Sequence, residues 1–265
     1  MTKLGPPAAL ATRLLEELRV DSPAGIDIVL LAQLCGATVI ERPIHGSDAR
    51  IIGRGERAYV TVDAGAPLGR RRFSAAHELG HWLYDRGRIA DLALVAARCS
   101  DIGAASDRGR SARETRADKF AAELLMPTPF FHEATKGRTP TFESLGRVAS
   151  LFHTSVKATA FRLVDIGCAP AVFVELNADL SRKFFRRPRG LERLWPRKAP
   201  KDGTLASQLS DDAPCRDGMV AASLWFEDHV ARDYEVFESS RLLFDGRTQS
   251  LLSWGQDEEM LLHLH

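Results

Sequence analysis

The pentapeptide His77-Glu78-Leu79-Gly80-His81 constrains this chain more than any other stretch of it. It lies inside RRRFSAAHELGHWLYD (70–85), where Phe73, Ala76, Leu79, Gly80 and Leu83 share one broad helical face. That spacing predicts an amphipathic helix with its apolar side buried. Positions i and i+4 lie one turn apart on a helix, so His77 and His81 present both imidazoles to one point. Zinc accepts imidazole nitrogen at about 2.0–2.1 Å, a reach this spacing meets. Glu78 follows the first histidine, where it addresses a metal-bound water and not the metal itself. The small residues Ala75, Ala76 and Gly80 predict a second segment in close contact with the same helix.

A catalytic zinc takes three protein ligands and keeps one position open. The third is expected from ETRADKFAAELLMP (114–127), a strongly helical stretch ending at Pro127. Glu114 begins it, and Asp118 lies at i+4 on the same face. One carboxylate there reaches the metal, and the second accepts the remaining N–H of a ligand histidine, fixing its tautomer. Glu123 is the rival ligand, although its neighbours Leu124, Leu125 and Met126 read as a helix end packed into core. The pattern is that of a zinc hydrolase, with Zn2+ on His77, His81 and Glu114, Glu78 as general base and Asp118 behind a ligand. Tyr59, Tyr84, His132 and His153 are candidates for a second oxyanion donor. The strand at 58–62, with Tyr59 and Val60, is a candidate for pairing with an extended substrate by edge addition, beside a plain role in the sheet.

The rest of the chain frames that centre. Helices are expected at 8–19 and 26–34, then three short strands at 37–40, 50–52 and 58–62, read as small antiparallel strands. A short helix at 89–97 and a Gly-containing loop follow. Two short helices at 141–152 and 155–166 resemble a helix-turn-helix. Beyond residue 169 the texture turns to strands: 170–176, 219–226, 234–244 and 248–254, the last two joined by an Asp245-Gly246 turn. Residues 182–201 carry nine Lys or Arg and one acid, Glu192, interleaved with Phe184, Phe185 and Trp195. That mixture suits nucleic acid, but its three prolines favour a solvated linker. The second of the paired helices opens Ser155-Val156-Lys157-Ala158-Thr159, poor in base-reading groups, so DNA binding there is possible but not favoured.

The two chemical blocks resemble the ImmA/IrrE family of bacterial zinc metallopeptidases. The likeness lies in the Arg-Phe before the histidine motif and in the Glu-x-x-Ala-x-x-Phe-Ala-x-x-Leu-Leu-Met-Pro that starts at Glu114. It takes in 58–62 and the helices at 141–166, and fades near residue 170. The resemblance implies zinc on His77, His81 and Glu114 with Glu78 as base. It also implies a minimal gluzincin-like α+β peptidase domain followed by a helix-turn-helix-like unit. Family members cleave or inactivate helix-turn-helix repressors of the XRE type, switching on stress-response or mobile-element genes. Some end in a sensor domain resembling GAF domains.

The resulting expectation is an α+β protein in three parts: a peptidase domain over 1–139, a helix-turn-helix-like unit over 140–168 and a β-rich, regulatory or sensor region over 169–265. The alternative is a zinc-containing DNA-binding or sensor regulator whose peptidase site is vestigial. A net charge of +1 argues against a nucleic-acid coat, and no apolar run is long enough to span a membrane. The N-terminus has prolines and charges where an apolar signal core would sit. Cys35, Cys99, Cys168 and Cys215 are scattered and form no C-x-x-C, which predicts reduced thiols and a cytoplasmic protein.

Overall fold

In the computed structural model, residues 5–91, 107–188, 191, 194–227, 231 and 234–254 are described. Cys99 and most of the helix expected at 89–97 lie outside them. Cys35, Cys168 and Cys215 are free thiols. Among the described residues no helix is long and apolar enough to cross a membrane. The architecture is α+β, with two compact units: Met1–Phe131 with Ser150–Ser155, and His132–Ala149 with Val156–His265.

The first unit opens with α1 (Pro7–Glu17), which starts on a proline where no backbone donor is needed. Asp27 caps α2 (Ile28–Leu34), its Oδ1 accepting from the N–H groups of Val29 at 2.9 Å and Leu30 at 3.1 Å. The chain then turns at Gly36, whose φ is +78° and where a Cβ would sit 2.6 Å from the carbonyl oxygen of Glu56. Only glycine fits there.

Three strands follow, β1 (Ala37–Arg42), β2 (Ala49–Arg54) and β3 (Arg57–Asp63), in the order β1-β3-β2. The all-antiparallel expectation is corrected: β2 and β3 are antiparallel, but β1 runs parallel to β3. Strand β3 is the central one. Its Ala58, Val60 and Val62 are all sealed from solvent, whereas β1 buries only Ala37. A second correction follows. Both edges of β3 are paired, so no substrate strand can add there, and Val60 is 0% exposed. Tyr59 stands on the outer face at 53% exposure.

Helix α3 (Leu68–Asp91) lies on this sheet and carries the histidine motif. Its arginine-rich start is an anchor: Arg70 pairs with Asp48 at 2.5 Å, Arg71 with Glu41, and Arg72 donates to the Ile26 carbonyl at 3.0 Å. Ala75, Ala76, Leu79 and Trp82 are buried, and the Trp82 indole donates to the Cys35 carbonyl at 3.0 Å. Helix α4 (Asp107–Leu125) packs across α3 and starts earlier than expected, so Glu114 lies inside the helix and not at its beginning. Phe120, Ala121, Leu124 and Leu125 close the core with Leu10, Leu15, Leu31, Ile51 and Val60. A short helix that the sequence reading passed over, α5 (Thr128–Thr135), begins directly after Pro127.

Helices α6 (Phe142–Phe152) and α7 (Val156–Ile166) fall where they were expected. In the second unit the sheet has five antiparallel strands in the order β5-β4-β8-β7-β6. These are β4 (Ala171–Leu176), β5 (Arg182–Arg186), β6 (Cys215–Ala221), β7 (Glu235–Leu242) and β8 (Thr248–Ser253). The solvated-linker reading of 182–201 is corrected, because β5 forms an edge strand and Leu191 and Leu194 are buried. The strand expected at 219–226 ends at Ala221 and gives way to a 3-10 turn (Ala222–Leu224). Helix α7 lies on β4, with Phe161 edge-on to Phe173 and Lys157 bonded to the buried Glu175 at 2.5 Å. Thr159, Ala160, Arg162, Leu163 and Val164 are buried as well, which leaves little of α7 for a DNA groove.

Candidate metal centre

Two helices bring the polar residues together. On α3, His77 and His81 are one turn apart and their rings meet edge to face, with centroids 4.7 Å apart. Helix α4 approaches at Gly80. A Cβ there would lie 3.1 Å from the Phe120 ring and 3.2 Å from the Ala117 Cα, so the missing side chain permits the close crossing. That crossing places Glu114 over both histidines. The Nε2 atoms of His77 and His81 are 3.0 Å apart, and the Glu114 carboxylate oxygens lie 3.2 Å from His77 Nε2 and 3.4 Å from His81 Nε2. His77 and His81 are largely buried, whereas Glu114 is 44% exposed, so the centre opens on its glutamate side.

The outer ring nitrogens decide what the inner ones present. His77 Nδ1 is 2.9 Å from Asp118 Oδ1, and His81 Nδ1 is 3.3 Å from Asp85 Oδ2. A carboxylate only accepts, so each Nδ1 carries the proton and, in neutral rings, both Nε2 lone pairs point at the same place. Two lone pairs 3.0 Å apart repel unless a cation lies between them. The carboxylates around the two rings favour positive charge at this point. Burial works against a charged ring, yet hydrogen bonds donated to Asp118 and Glu114 outweigh it and lift His77 to about 10. With Asp85 and Glu114 as partners, His81 is lifted against the same burial to about 9. Hydrogen bonds to the two imidazoles hold Glu114 far below the usual carboxylate range.

The residues fit zinc. Tetrahedral bonds of about 2.0–2.1 Å set neighbouring donors about 3.3 Å apart, and the three separations here bracket that distance. His77, His81 and Glu114 are also the group of His, Cys, Asp or Glu side chains, among the described residues, that converges closely enough to hold a metal ion.

Glu78 is adjacent in the chain and 2% exposed. The rival Glu123 is engaged elsewhere: its carboxylate accepts from the N–H and the hydroxyl of Thr128, both at 2.9 Å, and so caps α5. Of the oxyanion candidates, Tyr84 donates to the Gly5 carbonyl at 2.8 Å, and His132 lies 3.4 Å from the Cys168 thiol. The sequence reading missed Asp85. Its signal was present, since it stands at i+4 from His81 as Asp118 does from Glu114.

A peptidase family model described as the IrrE N-terminal-like domain matches residues 32–164, half of the chain. The chain belongs to the ImmA/IrrE family of peptidases. The match covers the three-stranded sheet, the two helices that meet at the centre and the α6–α7 pair, and makes the chain a metallopeptidase-type hydrolase of a zinc peptidase family. No curated protein matches the chain significantly. A solved structure named as a Mycobacterium tuberculosis transcriptional regulator is similar with a TM-score of 0.63 and 13% identity, over 93% of this chain and 75% of that one. At that identity the likeness is one of fold, and it runs well past the residues matched by the family model.

Proposed function

We propose that this chain is a zinc-dependent endopeptidase whose substrate is a helix-turn-helix transcriptional repressor of the XRE type, cut to switch on stress-response or mobile-element genes. The observation that carries the reading is the convergence of two imidazole Nε2 atoms and one carboxylate, with each outer Nδ1 held by an acid. Family membership and the name of the structural neighbour support it.

Zinc on His77, His81 and Glu114 supplies Lewis acidity toward a scissile carbonyl and acidifies water. Glu78 takes the proton of the attacking water and delivers it to the leaving amine. Its burial keeps bulk solvent from intercepting that proton. Asp118 keeps His77 in the tautomer that exposes Nε2. The open side at Glu114 is where an extended chain enters. The packing of α7 on β4 favours this reading over a DNA-binding regulator.

The test is cleavage of an XRE-type repressor encoded beside the gene, by wild type and by Glu78→Gln. The variant keeps size and hydrogen bonding but loses the base. We expect it to retain zinc and to cut at least about 100-fold more slowly. Equal cleavage by both would remove Glu78 from the chemistry, and an intact repressor with wild type would refute the substrate.

A further inference from the structure

We infer that Asp85 and Arg116 form a positioning relay that sets the orientation of His81 and thereby the zinc affinity of the centre; the inference rests on the zinc-peptidase reading above. Asp85 stands one turn after the second histidine on α3. The α3 backbone leaves helical geometry at this residue, with φ −118° and ψ 15°, so regular helix alone does not fix its side chain. A cation from the other helix fixes it. Arg116 donates to Asp85 Oδ1 at 2.7 Å, while the second oxygen of the same carboxylate faces His81 Nδ1 at 3.3 Å. The Asp85 side chain is only 13% exposed, so this two-point hold is shielded from water.

Arg116 is itself braced. Its guanidinium stacks on the Tyr84 ring at 4.8 Å, and the Tyr84 hydroxyl donates to the Gly5 carbonyl at 2.8 Å. It also sits two residues after Glu114 on α4. The stretch of α4 that offers the carboxylate ligand therefore also holds, through Asp85, the ring that offers an imidazole ligand. Asp118 does the corresponding work for His77 in one step. Without Arg116, the Asp85 carboxylate would be held at one oxygen only, by His81, and would be free to turn about that single contact.

The test measures zinc affinity of the full chain by competition with a chromogenic chelator, together with the visible spectrum of the Co2+-loaded chain and the melting temperature of the chelated chain. Wild type should bind one zinc, and Asp85→Ala should weaken binding about 10–100-fold and alter the cobalt spectrum. Asp85→Asn, which still offers an oxygen to His81 Nδ1, should recover part of the loss. Arg116→Gln should weaken binding less than Asp85→Ala, and the double variant Asp85→Ala/Arg116→Gln should bind no worse than Asp85→Ala alone, because Arg116 acts through Asp85. Unchanged zinc affinity with a lowered melting temperature would make the pair a structural tie only and overturn the relay, as would additive losses in the double variant. If Asp85→Ala does not fold, Asp85→Asn and Arg116→Gln decide: weakened zinc binding in both supports the relay, and wild-type affinity in both overturns it. A wild-type chain that binds no zinc would refute the peptidase reading itself.

Discussion

Glu114 and Glu123 stand on one face-rich helix and compete, by residue type alone, for the same role. The geometry separates them. Glu114 faces both imidazoles within 3.4 Å, and Glu123 is spent on capping α5 through Thr128. Metal analysis of purified variants should follow that division. Glu114→Ala should lose most of its zinc, since two imidazoles alone make a poor site. Glu123→Ala should keep zinc and lose about 1 kcal/mol of stability, the usual cost of an N-cap, read by denaturant titration. Full zinc in the first variant with an empty second would reverse the assignment. The sequence already favoured Glu114, because Glu123 runs straight into Leu124, Leu125 and Met126, and the crossing of α3 and α4 is what brings Glu114 to the histidines.

At the scale of the element, the deciding position is Gly80. The H-E-x-x-H spacing needs only a helix, but the centre needs a second helix close enough for a glutamate to reach. Gly80→Val would push branched carbons into the Phe120 ring and the Ala117 backbone, where even a Cβ is tight. We expect the chain to be destabilised by about 1–3 kcal/mol and its zinc affinity to fall, while Gly80→Ala should be milder on both counts. Thermal melting and chelator competition measure the two effects. A stable, zinc-loaded Gly80→Val would mean that the helices separate without cost. Sequence reading got the existence of α3 and α4 from their periodicity. It missed the parallel pairing of β1 with β3, and placed a substrate edge on a strand with no free edge, since the order and direction of pairing are set between strands distant in the chain.

At the scale of the whole molecule, the helices at 142–166 pose the sharpest question about domains. Read by themselves they resemble a free-standing pair. In the structure, α7 gives Phe161 to Phe173 and Lys157 to Glu175, and the Phe142 N–H donates to Ser239 on β7 at 2.9 Å. We propose that 142–149 and 156–166 belong with the β-rich region as one folding unit. A chain ended after Gly167 would lose β4–β8 and uncover the Phe161 ring, which meets Phe173 and Phe184 in the full chain. It should be poorly soluble and bind a hydrophobic dye strongly at concentrations where the full chain does not. A soluble, non-binding truncated chain would show that the helices need no sheet.

The amino-acid sequence determined the local facts: where helices run, which side chains repeat on a face, and which residues have metal chemistry at one-turn spacing. These follow from interactions within a few residues, such as periodicity, caps and prolines, and they are legible wherever no distant partner overrides them. Tertiary structure decided the rest. It brought Glu114 to both imidazoles, set Asp85 between His81 and Arg116, put β3 at the centre of its sheet, and made 182–186 an edge strand. Each of those outcomes depends on contacts between residues far apart in the chain, and burial against a distant partner, which no local pattern encodes, sets them.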